Sequence, residues 1–182
     1  MKIGNRIRAA VTCAVLGLGG CGAVPPDATI TSDAEGCYLL AVSVNGYRPS
    51  EPQVTMSEGH MVDGKFVTDF SLMPAFVNLV QDGYVLGKAK AGALVGLTSF
   101  APQWGAPKYE PNCGIEVIEV KGGVVSYATD IAFSAHSTGG TPQYKNDFEA
   151  AKRFMHKYHP ALEDKLVQGT FQTRKLSTAP RC

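Results

Sequence analysis

The chain has 182 residues, of which 45% are hydrophobic and 18% are charged, and its mean hydropathy is −0.03. These proportions are typical of a globular protein and exclude a disordered chain, a coiled coil and collagen. The formal net charge of +1 leaves no basic surplus, so we expect no nucleic-acid partner. The 20 glycines and 11 prolines favour turns and short strands over long helices.

Residues 1–20 are predicted to be a secretory signal peptide. Lys2, Arg6 and Arg8 form a basic start, and residues 9–18 form an apolar run without charge. This order is the pattern of a signal peptide. The run is too short for a transmembrane helix, which needs about 20 apolar residues.

The segment Leu18-Gly19-Gly20-Cys21 resembles the bacterial lipoprotein box: an aliphatic residue, two small residues and a cysteine. The resemblance implies that Cys21 becomes the mature N-terminus and carries acyl chains, palmitate among them, that anchor the protein in a lipid bilayer. Gly22 stands where inner-membrane lipoproteins of Gram-negative bacteria have Asp, which implies the outer membrane, facing the periplasm. A secretory signal that merely contains a cysteine is the alternative.

Residues 21–35 have little apolar periodicity. After lipidation they are predicted to form a flexible tether, with a root-mean-square length of roughly 20 Å. Residues 36–182 are predicted to form a single β-rich domain, with its mature body outside the bilayer.

The hydrophobic pattern up to residue 136 is almost entirely that of β-strands. Residues 37–44 form a short apolar run that predicts a well-buried strand. Hairpin turns are predicted at Asp63-Gly64 and at Gln81-Asp82-Gly83, because Asp-Gly favours tight turns. Every second residue from Val125 to Phe133 is expected on one face. The predicted strands are 37–44, 53–62, 65–73, 76–80, 84–90, 92–100, 115–121 and 124–135.

The pattern becomes helical at Asn146, which is predicted to cap a helix together with Glu149 three residues later. An apolar stripe from Phe148 to Tyr158 follows helical spacing and predicts packing on a sheet. Pro160 is expected to open a second short helix, so the helical region covers about residues 146–168.

These elements predict a mainly β fold: a single antiparallel β-sandwich with one or two C-terminal α-helices (α+β), and a last strand at Thr170–Thr173. The segment 117–127 and the helix 146–158 with the following His159-Pro160-Ala161-Leu162 resemble uncharacterised bacterial lipoproteins with a prealbumin-like, carboxypeptidase-regulatory-like β-sandwich. The resemblance implies that residues 117–127 form a core hairpin and that the helix closes the fold. It implies no catalytic residue.

Besides the acylated Cys21, the mature chain contains three cysteines: Cys37, Cys113 and Cys182. The oxidising envelope favours disulfides, and three cysteines leave one unpaired. Cys37 and Cys113 each flank a predicted strand, so we expect a Cys37–Cys113 disulfide. Cys182 remains an alternative partner for either one, or for a second chain.

Three histidines are candidate metal ligands. His156 and His159 are three residues apart on the predicted helix, and His136 is a candidate third ligand. Lys152 and Lys157 lie close to them in sequence and disfavour a cation. We therefore expect solvated histidines on the helix face and no metal.

A hydrolase triad of Asp130, Ser134 and His136 is disfavoured, because residues two apart on a strand lie about 7 Å apart on one face. Trp104 and Tyr109 lie in a proline-rich loop. Such aromatic side chains either pin the loop to the body or stack on a sugar or a peptide, and they are the candidate binding residues.

Charge is divided unevenly along the mature chain. Residues 21–144 contain six basic and twelve acidic residues, whereas residues 145–182 contain eight basic and four acidic ones. The basic end either docks on the acidic sheet or offers a cationic face to phospholipid, lipopolysaccharide or an acidic partner.

An anchored β domain without a convergent catalytic set usually offers a surface to a partner. The sequence therefore predicts a non-enzymatic binding or structural module of the cell envelope, with the lipid bilayer and an envelope protein as partners and no cofactor. The alternatives are a metal-handling protein or enzyme built on His136, His156 and His159, and a small-ligand binder that uses the aromatic loop.

Overall fold

The computed structural model describes residues 24–25, 27–44, 53–69, 77–78, 80–101, 114–133 and 142–177. They form a helical layer, a central sheet A and a second sheet B that curls into a barrel. Within these ranges, no helix is both long enough and apolar enough to cross a membrane.

The described elements are mostly strands, which confirms the prediction of a mainly β fold. One α-helix and one 3₁₀ helix follow the first ten strands, and two more strands end the described chain. The strands are β1 (Glu35–Val44), β2 (Gln53–Val62), β3 (Lys65–Thr68), β4 (Val77–Asn78), β5 (Val80–Gln81), β6 (Tyr84–Lys90), β7 (Leu94–Ala101), β8 (Gly114–Glu119), β9 (Val125–Phe133), β10 (Gln143–Lys145), β11 (Leu166–Gln168) and β12 (Phe171–Leu176); the helices are α1 (Phe148–Tyr158) and the 3₁₀ helix Pro160–Lys165.

Sheet A has the strand order β10–β9–β1–β6–β5, with β11 also paired to β9. β1 pairs antiparallel with β6 and parallel with β9, so it lies in the middle of the sheet. Its side chains alternate between two buried layers: Tyr38 and Leu40 face sheet B, and Leu39 faces the helix. This confirms the well-buried strand predicted from residues 37–44.

Sheet B has the order β3–β12–β8–β7–β2–β4, and β2 also pairs with β3. That additional pairing closes β2, β3, β12, β8 and β7 into a five-stranded barrel. The prediction of a single antiparallel sandwich is therefore wrong in two respects. First, the barrel is an additional unit with its own core. Second, not all neighbouring strands are antiparallel, since β12 pairs in parallel with β3. The chain returns from the helical layer and β12 enters the barrel between β3 and β8.

Two separate cores lie on the two faces of sheet B. The larger one fills the space between the sheets, with Phe100 stacked on Phe133 at 4.4 Å. The smaller one fills the barrel, around the fully buried Phe66 and Ile115. Gly96 is needed there, because a Cβ at this position would lie 2.7 Å from Cδ1 of Ile115.

The helical layer covers the other face of sheet A. α1 begins one residue later than predicted, because Asp147 rather than Asn146 is the N-cap and its carboxylate accepts from the N–H of Ala150 at 3.1 Å. Phe154 stacks on Tyr84 of β6 at 4.5 Å. The predicted second helix is a 3₁₀ helix that ends at Lys165, and the residues up to Gln168 pair with β9 as a strand.

Two predicted hairpins are confirmed. Asp63-Gly64 joins β2 to β3, and Asp82-Gly83 joins β5 to β6, with positive φ at all four residues. The first hairpin has a shorter second arm than predicted, since β3 ends at Thr68.

The core hairpin expected at residues 117–127 does not form. β8 belongs to sheet B and β9 to sheet A, so Gly122-Gly123 connects two sheets. Each strand instead pairs with partners that are distant in sequence: β8 with β7 and β12, and β9 with β1, β10 and β11.

The alternation expected along β9 is broken by an irregularity. Leu39 of β1 pairs with Tyr127 of β9, and Ala41 of β1 pairs with Asp130 of β9. The step is two residues along β1 but three along β9, so β9 contains one extra residue. The extra residue moves the following side chains to the opposite face. Val125 and Tyr127 therefore contact the helical layer, whereas Ile131 and Phe133 contact sheet B.

Candidate functional site

The barrel opens at a small cavity between β12 and β2. β12 meets β3 only at Lys175 and Leu176, whereas it pairs with β8 from Phe171 to Lys175. Among the described strands, the barrel wall is therefore incomplete beside the first half of β12. We call this opening the barrel mouth.

The cavity at the barrel mouth has a volume of about 100 Å³. Its apolar wall is formed by Met61, Leu94 and Val117, side chains that pack on or belong to the barrel core. Polar side chains from two strands and a connecting loop complete its lining: Glu119, Thr170, Gln172 and Arg174.

Strand alternation explains this composition. Val117 pairs with Gln172 and Ile115 with Arg174, so these four side chains share the inner face of the barrel. Ile115 is fully buried, but Gln172 and Arg174 are exposed, and none of the described strands covers them. The guanidinium of Arg174 donates a hydrogen bond to Oε1 of Gln172.

The size of the cavity limits what it can hold. Pockets for drug-sized molecules have volumes of about 300–1,000 Å³, so this one suits a single side chain of a larger partner better than a whole cofactor. Its apolar wall suits an aliphatic group of a partner. Arg174 and Glu119 offer a positive and a negative charge to polar atoms of the same partner.

A second feature is a buried carboxylate between the sheets. Glu116 is 4% exposed, and its Oε1 accepts a hydrogen bond from the hydroxyl of Tyr144. Its Oε2 has no hydrogen-bond partner within the described part of the chain. Glu116 also lines a small cavity of about 10 Å³, together with Thr129 and Phe171. A buried oxygen without a hydrogen-bond partner has a desolvation cost, which a hydrogen bond from a ligand or a water molecule would lower.

Asp130 of the disfavoured triad has a structural role. Tyr127 donates to its carboxylate at 2.6 Å, and the same hydroxyl accepts from the backbone N–H of Asp147 at 3.0 Å. Burial raises the pKa of Tyr127, so its hydroxyl stays protonated and connects β9 to the start of α1. Ser134 and His136 lie outside the described residues.

The two described histidines of the metal hypothesis have different surroundings. His156 is exposed, and its Nδ1 lies 2.9 Å from a carboxylate oxygen of Glu163. His159 is 3% exposed, so the prediction that it is solvated is wrong. Burial lowers the pKa of His159 and keeps it neutral. Among the described residues, no three His, Cys, Asp or Glu side chains cluster as a metal site would require.

Among the described residues Cys37 is a buried free thiol, and Cys113, its partner in the predicted disulfide, lies outside them. Burial raises the pKa of Cys37 to about 11, so its thiol is a poor nucleophile.

Several predicted sites lie outside the described residues. They are the lipidation site Cys21, the disulfide candidates Cys113 and Cys182, the aromatic pair Trp104 and Tyr109, and the metal-ligand candidate His136.

The described part of the basic C-terminal region, residues 145–177, does not form one cationic face. Arg174 and Lys175 belong to the barrel, on the opposite side of sheet A from the helix. On the helix, Lys152 pairs with Glu149 at 2.8 Å and Lys157 with Asp82 at 3.2 Å. The excess charge is therefore divided between two layers and partly neutralised.

Comparison with known proteins found no matching family model, curated protein or solved structure. The resemblance to prealbumin-like lipoproteins therefore stays a prediction.

The barrel mouth was missed by the sequence analysis. Its members come from β2, β7, β8, β12 and the loop before β12, and only the fold brings them together. One local signal was present: Gln172 and Arg174 are polar residues two apart in a strand, where an inward-facing position would ordinarily be apolar.

Proposed function

We propose that this protein is a lipid-anchored lipoprotein of the outer membrane, facing the periplasm, and that it is a non-enzymatic module that binds a segment of another envelope protein. The anchor rests on the segment Leu18-Gly19-Gly20-Cys21, which has the order of a lipoprotein box. The binding role rests on the barrel mouth.

The single observation that carries the binding role is the composition of the 100 Å³ cavity. The apolar wall matches one aliphatic side chain of a partner segment. Glu119 and Arg174, beside that wall, match polar atoms of the partner's main chain or neighbouring side chains. The first half of β12 borders this cavity, so a partner segment that enters it would lie beside a strand. Extended segments bind such strand edges through main-chain hydrogen bonds.

The binding role can be tested by crosslinking in intact cells. A photoreactive residue placed at Gln172 should form an adduct with an envelope protein, and Arg174→Glu should reduce that adduct at least fivefold. Lys175→Glu is the matched control, because it makes the same charge change one residue on, on the opposite face of β12. Equal adducts in both variants, or none in the parent protein, would contradict the proposal.

The anchor can be tested by fractionation. The parent protein should be found with outer-membrane markers. Cys21→Ala should leave the protein soluble in the periplasm or as an uncleaved precursor. A Cys21→Ala protein that is still processed and lipid-labelled in the membrane would contradict the anchor.

A further inference from the structure

Residues 24–25 and 27–34, which we call the N-terminal segment, contact the folded domain. The described side chains of Val24, Ala28 and Ile30 pack against the core between α1 and sheet A. A flexible tether would leave these apolar side chains in water. The composition of residues 21–35 did not indicate this packing.

One end of the segment is held by His159. The imidazole interacts with the backbone carbonyl of Pro25, and the ring lies 5.7 Å from that of Phe154. His159 follows α1 directly and is 3% exposed. This contact places Pro25 at the junction of α1 and the 3₁₀ helix.

The other end is held at the connection between β8 and β9. A Cβ at Gly122 would lie 2.0 Å from the backbone oxygen of Asp33, so the two chains are in close contact. The N–H of Gly123 donates to the carbonyl of Glu35 at 2.9 Å, and that of Ala91 to Ala34 at 3.0 Å. The N-terminal segment is therefore fixed at both ends.

This packing shortens the distance between the lipid and the domain. Three peptide links separate Cys21 from Val24, and they span at most about 11 Å whatever path they take. The sequence alone predicted a tether of roughly 20 Å. The acyl chains therefore enter the bilayer close to the helical layer.

We propose that the N-terminal segment orients the domain on a phospholipid surface, with the helical layer next to the bilayer and the barrel on the far side of sheet A. This proposal rests on lipidation of Cys21. Packed layers are separated by about 10 Å, so the barrel lies roughly 20 Å farther from the lipid than α1 does. The barrel is then held out toward the periplasm, where a partner can reach it.

Fluorescence quenching in vesicles tests this orientation. The full lipidated protein is reconstituted in phosphatidylethanolamine–phosphatidylglycerol vesicles whose head groups carry a nitroxide quencher. A fluorescent residue is placed at Ala161, which is exposed in the 3₁₀ helix, or at Val62, which is 45% exposed in the barrel. We expect at least threefold stronger quenching at Ala161. Equal quenching, or stronger quenching at Val62, would overturn the proposal.

A lengthened anchor provides the control. Twelve Gly and Ser residues inserted between Gly22 and Ala23 add roughly 19 Å of flexible chain without changing the domain. The difference between the two positions should then fall by at least half, and an unchanged difference would overturn the role of the short connection. Intact mass separates the two proposals: an unacylated protein that leaves the vesicles overturns both, whereas an acylated protein with equal quenching overturns only the orientation.

Discussion

Truncation of Phe154 should be among the most destabilising changes in the helical layer. Its side chain is 5% exposed, stacks on Tyr84 at 4.5 Å and contacts Tyr158 at 5.2 Å between ring centres. Replacing a buried phenylalanine by alanine costs about 3–5 kcal/mol, because apolar contacts are lost and a cavity remains. For a protein of this size, that loss lowers the melting temperature by about 6–20 °C.

Urea and thermal denaturation followed by circular dichroism measure this loss. Arg153→Ala is the matched control: it changes the adjacent, exposed residue of α1 and should alter the free energy of unfolding by no more than about 0.5 kcal/mol. Phe148 is only partly buried, so Phe148→Ala should fall between the two. A loss below about 1 kcal/mol for Phe154→Ala would refute the packing of α1 on sheet A.

Three further predictions concern sheet A and its neighbours. Gly87→Ala should cost at least about 1–3 kcal/mol in denaturation experiments, because its Cβ would lie 2.1 Å from the buried ring of Tyr38; an unchanged midpoint would contradict that contact. Burial lowers the pKa of His159 below the 6.5 of an unfolded chain, so its contribution to stability should be complete above pH 6.5 and decline as the pH falls below it. The urea midpoint should therefore depend less on pH in His159→Gln than in the parent protein, and equal slopes would count against the burial of this residue. The thiol of Cys37 should resist alkylation in the native protein and react after denaturation without reductant; a disulfide-linked peptide containing Cys37 would show that the buried thiol is not free.

The local parts of the fold could be predicted from the sequence, because neighbouring residues determine them. Asp63-Gly64 and Asp82-Gly83 indicate tight turns by their own backbone preferences, and both turns form. The apolar run of β1 likewise predicts burial on both faces. The start of α1 was misplaced by only one residue, since Asn146 and Asp147 are both good capping residues.

The pairing of distant strands could not be predicted in this way. Gly122-Gly123 has the composition of a hairpin turn, yet it connects two sheets, because β8 and β9 each find partners far away in sequence. The burial of His159 could not be predicted either: a histidine beside lysines suggests a solvated surface, but the fold places its ring against Phe154 and next to Pro25. The barrel mouth depends on both effects, since Met61 and Arg174 are more than a hundred residues apart.

Mass spectrometry of the N-terminal peptide from protein extracted from the envelope tests the central claim most directly. If the protein is a lipid-anchored module, the mature chain begins at Cys21 and carries the mass of a diacylglyceryl group on sulfur and an acyl chain on the amine. A mature chain that begins at another residue, or an unmodified Cys21, would contradict the lipoprotein account and the membrane orientation that rests on it.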